Sequence, residues 1–221
     1  MFLVINNYKT PYKKYFKPLE NFLINYHNNN KSFHYIILSN HKDFDNFIES
    51  NKQKFNNIQG LIISGSHYSV IDTSFQDFSF NLRIINYCLN ICPIFTICFG
   101  TQLISSIFGS QIKKMDDKIS GDFITNIITN DYQLFNNLNT TKIKNYNTFL
   151  TNYNFNDRIL KTPFSFKETT YLIHNNKKII TGFFEPMKSI HCVLFHPEKN
   201  TETHPIIINF INLCLKLNHN I

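Results

Sequence analysis

The stretch Pro93–Gly109, PIFTICFGTQLISSIFG, constrains the fold more than any other part of this chain. Ile94-Phe95-Thr96-Ile97 is a short apolar run with the β-branched and aromatic content of a buried strand. Past Cys98-Phe99-Gly100, apolar residues recur at Leu103, Ile104, Ile107 and Phe108, the spacing of one helix face, and Gly109 is a natural stop. The stretch therefore predicts a strand, an abrupt turn and a helix, with a cysteine at the corner. Such a turn lifts a side chain clear of the sheet, and the following helix N-terminus favours an anion and lowers a thiol pKa. A nucleophile suits that place. A small buried cysteine at a strand end suits it equally, and spacing alone does not separate the two.

The chain upstream of this corner alternates strands and helices. Phe2–Ile5, Phe33–Leu38 and Gly60–Ile63 read as strands. Tyr15, Leu19, Phe22, Leu23 and Tyr26 mark one intervening helix, Phe44, Phe47 and Ile48 a second, and Phe78–Asn90 a third. Asn-rich Tyr26–Lys31 reads as a loop. The alternation implies parallel pairing, right-handed crossovers and helices on both faces, with sites beyond the carboxyl ends of the strands. Ser64-Gly65-Ser66 and Cys98 fall at two such ends. Downstream, the pattern becomes hairpin-like. Phe123–Ile128 and Lys142–Phe149 read as strands, and Leu172–His174 pairs with Lys178–Phe183 around Asn175-Asn176-Lys177. Ser189–Phe195 reads as the last strand and Pro205–Leu217 as a terminal helix.

Length and composition narrow the functional classes. The 221 residues fit one α/β domain spanning 1–221. The net charge is +7, but lysines lie in scattered pairs such as Lys13-Lys14, Lys113-Lys114 and Lys177-Lys178 rather than on one stripe with stacking aromatics, which argues against a nucleic-acid partner. Five cysteines, Cys88, Cys92, Cys98, Cys192 and Cys214, show no framework spacing, as expected for a reducing, cytoplasmic setting. Cys88 and Cys92 stand four apart without a paired ligand set, so core packing rather than a metal is expected. No apolar run approaches the ~20 residues of a membrane span.

Near the C-terminus, His196 and Glu198 stand two apart. At the end of an extended strand such residues share a side, so a carboxylate can fix the imidazole tautomer while the other ring nitrogen faces a thiol. A surface His-Pro-Glu turn is the plainer alternative. His67, His191 and His204 have no evident partner in the sequence and are read as ordinary polar or packed residues.

Three segments together resemble one family. Cys98-Phe99-Gly100-Thr101-Gln102 is similar to the C-x-G-x-Q elbow of class I, triad-type glutamine amidotransferases. Phe195-His196-Pro197-Glu198 resembles that family's F-H-P-E segment, and Gly60–Ser66 its strand and glycine loop. Among members, the amidotransferase part of GMP synthase and the small subunit of anthranilate synthase look most alike. The resemblance implies a flavodoxin-like α/β fold with a mostly parallel central sheet, helices on both faces and a small antiparallel extension.

It also implies a Cys98–His196–Glu198 triad hydrolysing the side-chain amide of L-glutamine through a thioester, without a metal or other cofactor. The released ammonia would pass to a separate synthase partner, since the chain leaves no room for an acceptor domain. Oxyanion donors would be the backbone N–H groups of Phe99 and of the glycine loop, Gly65-Ser66. Ser66 stands where the family commonly has glycine, adding a Cβ where a positive φ is expected. Thr96 likewise replaces a common glycine. Gln102 would hold substrate, though a solvent-facing place in the first helical turn also fits it. Tyr146, in Tyr146-Asn147-Thr148-Phe149, would mark the segment binding the substrate's amino-acid head. A γ-glutamyl hydrolase of the same fold and a degenerate, interaction-only member are the alternatives, and Gln102 and the intact Cys98, His196 and Glu198 argue against each in turn.

Overall fold

The computed structural model describes residues 1–9, 11–50, 58–72, 75–129, 132–143 and 146–218. Among these, ten strands form one sheet in the order β2-β1-β3-β4-β10-β9-β8-β5-β7-β6. The parallel half comprises β1 (Phe2–Ile5), β2 (Tyr35–Leu38), β3 (Gly60–Ile63), β4 (Ile94–Ile97) and β10 (Ile190–Val193). β1, β3, β4 and β10 are buried at every residue, which is why they read as largely apolar runs, broken only by Thr96 and His191. The antiparallel half follows: β5 (Ile112–Ile127), β6 (Thr141–Ile143), β7 (Tyr146–Ile159), β8 (Lys167–His174) and β9 (Lys177–Glu185).

Helices cover both faces of the parallel half, as right-handed crossovers require. α1 (Lys17–Asn29) and α5 (His204–Asn218) share one face, where Phe22 packs edge-on against His204 and Tyr26 donates to Asn212 Oδ1. α2 (His41–Ser50), α3 (Phe75–Cys88) and α4 (Phe99–Ile107) share the other, with Tyr87 edge-on to Phe44 and Phe78 beside Phe99. Each strand of the parallel half therefore has cover on two sides. Phe95 of β4 meets Phe210 of α5, while its neighbour Thr96 bonds Thr101 of α4 on the opposite face. All five cysteines are free and buried. Among the described residues, no helix is long and apolar enough to cross a membrane.

Three readings of the sequence need correction. The loop expected at Tyr26–Lys31 is helical as far as Asn29, because Asn30 closes α1 by donating back to Tyr26 O and His27 O. The single strand expected over Lys142–Phe149 is two antiparallel strands, with Thr141 opposite Thr148; residues 144–145 lie outside those described. β5 and β7 are also far longer than their apolar cores suggest. In β7 the asparagines alternate with buried Thr151, Tyr153, Phe155, Asp157 and Ile159, so they are the outer residues of a pleated strand rather than turn formers.

One close approach fixes how α4 leaves the sheet. A Cβ on Gly100 would lie 2.8 Å from Ile63 Cγ2 and 2.9 Å from the Ile63 carbonyl oxygen, so only glycine lets the helix start against β3. Gly100→Ala should overpack this contact by about 1–3 kcal/mol. At ~2–4 °C per kcal/mol for a chain of this size, the thermal midpoint by circular dichroism should fall by roughly 2–12 °C, and an unchanged midpoint would show that the contact relaxes freely.

Candidate active site

The corner between β4 and α4 is the strained point of the backbone. Cys98 has φ 48° and ψ −104°, a conformation that L-residues seldom adopt. Three hydrogen bonds hold it from either side. Cys98 N–H donates to Val193 O (2.8 Å), Gln102 N–H donates to Cys98 O (3.1 Å), and Thr101 Oγ1 donates to Val193 O (2.7 Å). The thiol is turned off the sheet toward β7, where Sγ lies 3.6 Å from the Asn154 carbonyl oxygen. The nucleophile-like corner expected from Pro93–Gly109 is thus formed, with its cysteine at the wall of a cleft.

His196 and Glu198 come together, by a route other than the one expected. β10 ends at Val193, and Pro197–Lys199 forms a short 3-10 turn rather than extended strand. The turn brings the carboxylate back onto the ring, and Nδ1 and Glu198 Oε1 are 2.7 Å apart. Both side chains are buried, at 1% and 5% exposure. Glu198 Oε2 and His196 Nε2 have no further hydrogen-bond partner among the described residues. Burial alone would lower the imidazole pKa, but the Glu198 charge and the Cys98 sulfur outweigh it and raise it from 6.5 to about 9. At neutral pH the ring therefore carries a proton between a carboxylate and a sulfur.

The glycine loop closes the same space. A Cβ at Gly65 would stand 2.9 Å from His196 Cε1, 3.5 Å from Cys98 Cβ and 2.8 Å from the Tyr8 hydroxyl. Gly65 is therefore wedged between the two reactive side chains, where no larger residue fits. The strain expected from a side chain at Ser66 is absent: the residue is not in the left-handed region. Its hydroxyl donates to Asn7 O (3.1 Å) and accepts from Tyr68 N–H (3.1 Å), tying the loop to the end of β1. Thr96 is accommodated in the same way, with its Oγ1 2.8 Å from Thr101 Oγ1.

Gln102 is buried, not solvent-facing, and its Nε2 donates to Asp157 O at 3.1 Å. It lines a cleft of about 280 Å³ together with Cys98, Ser66, Tyr8, Asn154 and Asp157. That size is near the lower end of small-molecule sites. Tyr146 opens β7, but its side chain lies outside the described residues, and the residues of β7 that reach the cleft are Asn154–Asp157. These residues were missed. β7 carbonyls serve as a rail: Asn152 O accepts from His196 N–H (2.8 Å), Asn154 O from the Cys98 thiol, and Asp157 O from Gln102. Asp157 is 1% exposed, and its Oδ1 has no partner among the described residues. The alternation over Thr151–Ile159, with an acid at an inward position, is the signal that would have found it. Tyr8, also missed, has its phenol pushed up by burial and by the negative charges of Cys98 and Glu198, so it faces the cleft as a neutral donor.

The His196 assignment has a pH consequence. A pKa raised from 6.5 to about 9 contributes stability that is complete below pH 6.5 and is lost as pH rises through about 9. In Glu198→Gln the Glu198 charge goes while the burial and the Cys98 sulfur stay, so the ring should titrate below its wild-type value and the alkaline stability loss should move to lower pH. Imidazole NMR titration of both proteins checks this, and an unchanged titration in the variant would contradict the pairing.

Comparison with known proteins gives a consistent picture. The family model for glutamine amidotransferase class-I matches residues 19–213. The chain is 34% identical over 158 residues to a GMP synthase [glutamine-hydrolyzing] of Petrotoga mobilis, covering 71% of this chain and 28% of that protein. It is 29% identical to the Dictyostelium discoideum protein of the same name, covering 72% and 21%. The chain thus spans about a quarter of the length of these curated relatives. Among solved structures, a GMP synthase subunit from Thermoplasma acidophilum superposes with a TM-score of 0.71 at 20% identity, covering 99% of this chain and 95% of that one. The glutaminase domain of Trypanosoma brucei CTPS, with acivicin bound, gives 0.68 at 11% identity, covering 97% and 93%. These two likenesses establish the flavodoxin-like amidotransferase fold.

Proposed function

Because this chain belongs to the class I glutamine amidotransferases, we propose that it hydrolyses the side-chain amide of L-glutamine with Cys98 as nucleophile. The observation that carries this reading is the buried His196–Glu198 pair, 2.7 Å apart, meeting a strained Cys98 across Gly65. The thiolate of Cys98 attacks the amide carbon, forming a C–S bond and an oxyanion. The backbone N–H groups of Phe99 and Ser66 are the donors for that oxyanion. His196 passes its proton to the departing nitrogen as the C–N bond breaks, and ammonia leaves. Water, deprotonated by the now neutral ring, then attacks the thioester, the C–S bond breaks, and glutamate leaves with the Cys98 thiolate and protonated ring restored. Glu198 keeps Nδ1 protonated and so aims Nε2 at the reacting atoms.

The amino-acid head of glutamine sits on the β7 side of the cleft. The unpartnered carboxylate oxygen of Asp157 meets the α-ammonium group there, and Gln102 and Asn154 line the path. Ammonia passes to a separate synthase partner docked on the rim formed by the loops His67–Asp72 and Lys199–His204, of which His67 and Tyr68 line the cleft. The similarity to GMP synthases makes a nucleotide-aminating synthase the favoured partner class.

Glutamine hydrolysis measured on the purified chain, with and without a synthase partner, tests this reading. Cys98→Ser should abolish turnover while leaving the fold intact, and His196→Asn should cost more than Glu198→Gln, which should retain measurable rate although a comparable triad acid is worth about 10⁴. Asp157→Asn should raise KM for glutamine at least about tenfold with a smaller effect on kcat, as removal of a buried charge partner does. Undiminished turnover in Cys98→Ser would overturn the assignment.

A further inference from the structure

Tyr8 faces the reacting groups, yet the chemistry above gives it no task. Its ring is buried and packs against Tyr15, with centroids 6.1 Å apart. A Cβ built on Gly65 would meet atoms from three separate parts of the chain: Tyr8 Oη at 2.8 Å, His196 Cε1 at 2.9 Å and Cys98 Cβ at 3.5 Å. The phenol oxygen, the imidazole and the cysteine therefore surround one point, directly beside the residue that precedes Ser66. His196 Nε2 and Glu198 Oε2 are unpartnered and sealed among the described residues. The Tyr8 oxygen also has no hydrogen-bond partner among them, but it is not sealed, and Tyr8 lines the cleft with Cys98, Ser66 and Gln102. A substrate atom in the cleft has access to it.

The segment that carries Tyr8 is stitched to the glycine loop. Asn7 N–H donates to Ser64 Oγ (3.0 Å), Asn7 Nδ2 to Ser64 O (3.1 Å) and Ser66 Oγ to Asn7 O (3.1 Å). Tyr8 N–H closes a tight turn onto Asn6 Oδ1 (3.0 Å), and Asn81 Nδ2 donates to Asn7 Oδ1 (2.9 Å) from α3. The phenol and the Ser66 N–H thus ride on one rigid unit, and the first keeps its place relative to the second. Donors fixed in this way need no reorganisation when charge appears between them, which is the source of their effect on a transition state. Burial and the negative charges of Cys98 and Glu198 push the phenol pKa up, so the group stays O–H while charge develops beside it.

We propose that Tyr8 is a further catalytic residue, whose hydroxyl donates a hydrogen bond to the oxyanion beside the backbone N–H groups of Phe99 and Ser66. The role rests on the glutaminase reading of Cys98. As the C–S bond forms, the carbonyl electron pair moves onto oxygen and meets the phenol O–H. No proton is transferred to it, and the pair returns to the carbon as the C–N bond breaks and ammonia leaves. The same contact recurs when water attacks the thioester and the C–S bond breaks. A hydrogen bond of this kind strengthens as charge grows on the oxygen, so its loss falls on kcat and leaves KM nearly unchanged.

Tyr8→Phe tests this, with two readouts on the full chain. The substitution removes one oxygen and breaks no hydrogen bond among the described residues, so the thermal midpoint should match the wild type. For glutamine, kcat should fall about 10²-fold, the scale of losing one oxyanion donor, with KM within about twofold. The second readout is alkylation of Cys98 by iodoacetamide, followed by mass spectrometry of the labelled peptide. That reaction displaces iodide from a saturated carbon and forms no oxyanion, so its rate in Tyr8→Phe should stay within about twofold of the wild type. Undiminished kcat or a loss confined to KM would overturn the proposal. So would alkylation slowed as much as turnover, because Tyr8 would then act on the thiolate and not on the oxyanion. A wild-type chain alkylated at Cys98 that hydrolyses no glutamine, alone or with a synthase partner, would overturn the glutaminase reading and the role of Tyr8 with it.

Discussion

Everything around the cleft depends on the backbone at Cys98 being held where an L-residue is reluctant to go. With φ at 48°, the residue is stable only because its neighbours leave no alternative. Its N–H is bound by β10, its carbonyl by the first turn of α4, and Gly100 lets that turn start in contact with Ile63. The same constraint projects the thiol off the sheet and sets the Phe99 N–H beside it. Strain here is the means by which one side chain and one backbone donor are aimed together.

The second requirement is electrostatic. Burying Glu198 as an anion is costly unless a cation accompanies it, and the imidazole of His196, 2.7 Å away, supplies that cation. The pair explains why the ring keeps a proton despite complete burial, since the opposing effects sum to a pKa of about 9. β7 then supplies order without charge: its carbonyls receive hydrogen bonds from His196, Cys98 and Gln102, three residues that belong to other elements. The antiparallel half of the sheet is thus part of the site and not merely an appendage to it.

The sequence was most legible where chemistry and backbone coincide. Strand, turn and helix at Ile94–Ile107 and the glycine loop appear where residue spacing places them, and the His196–Glu198 pair forms through a short 3-10 turn rather than the extended strand its spacing suggests. The alternation of the first four strands with helices was equally plain, because buried parallel strands leave apolar runs. β5 and β7 were harder. Their outer residues are asparagine, lysine and aspartate, so the period-2 pattern carries little hydrophobic contrast, and the asparagines suggest turns. Tyr146 was expected at the substrate from the family resemblance alone; its side chain lies outside the described residues, and the β7 residues that line the cleft are Asn154–Asp157. Ser66 and Thr96 show a complementary failing: a departure from a familiar glycine looked like strain, but each hydroxyl has found a hydrogen-bond partner that spacing does not reveal.

Trapping the covalent intermediate tests the central claim most directly. Wild-type chain mixed with isotopically labelled glutamine, quenched in acid within one turnover and digested, should show a γ-glutamyl adduct on the peptide that carries Cys98. Burial pushes the thiols of Cys214 and Cys192 up, the latter to about 12, so neither should compete. Turnover of glutamine with no adduct at Cys98, or with the adduct on another cysteine, would contradict the account.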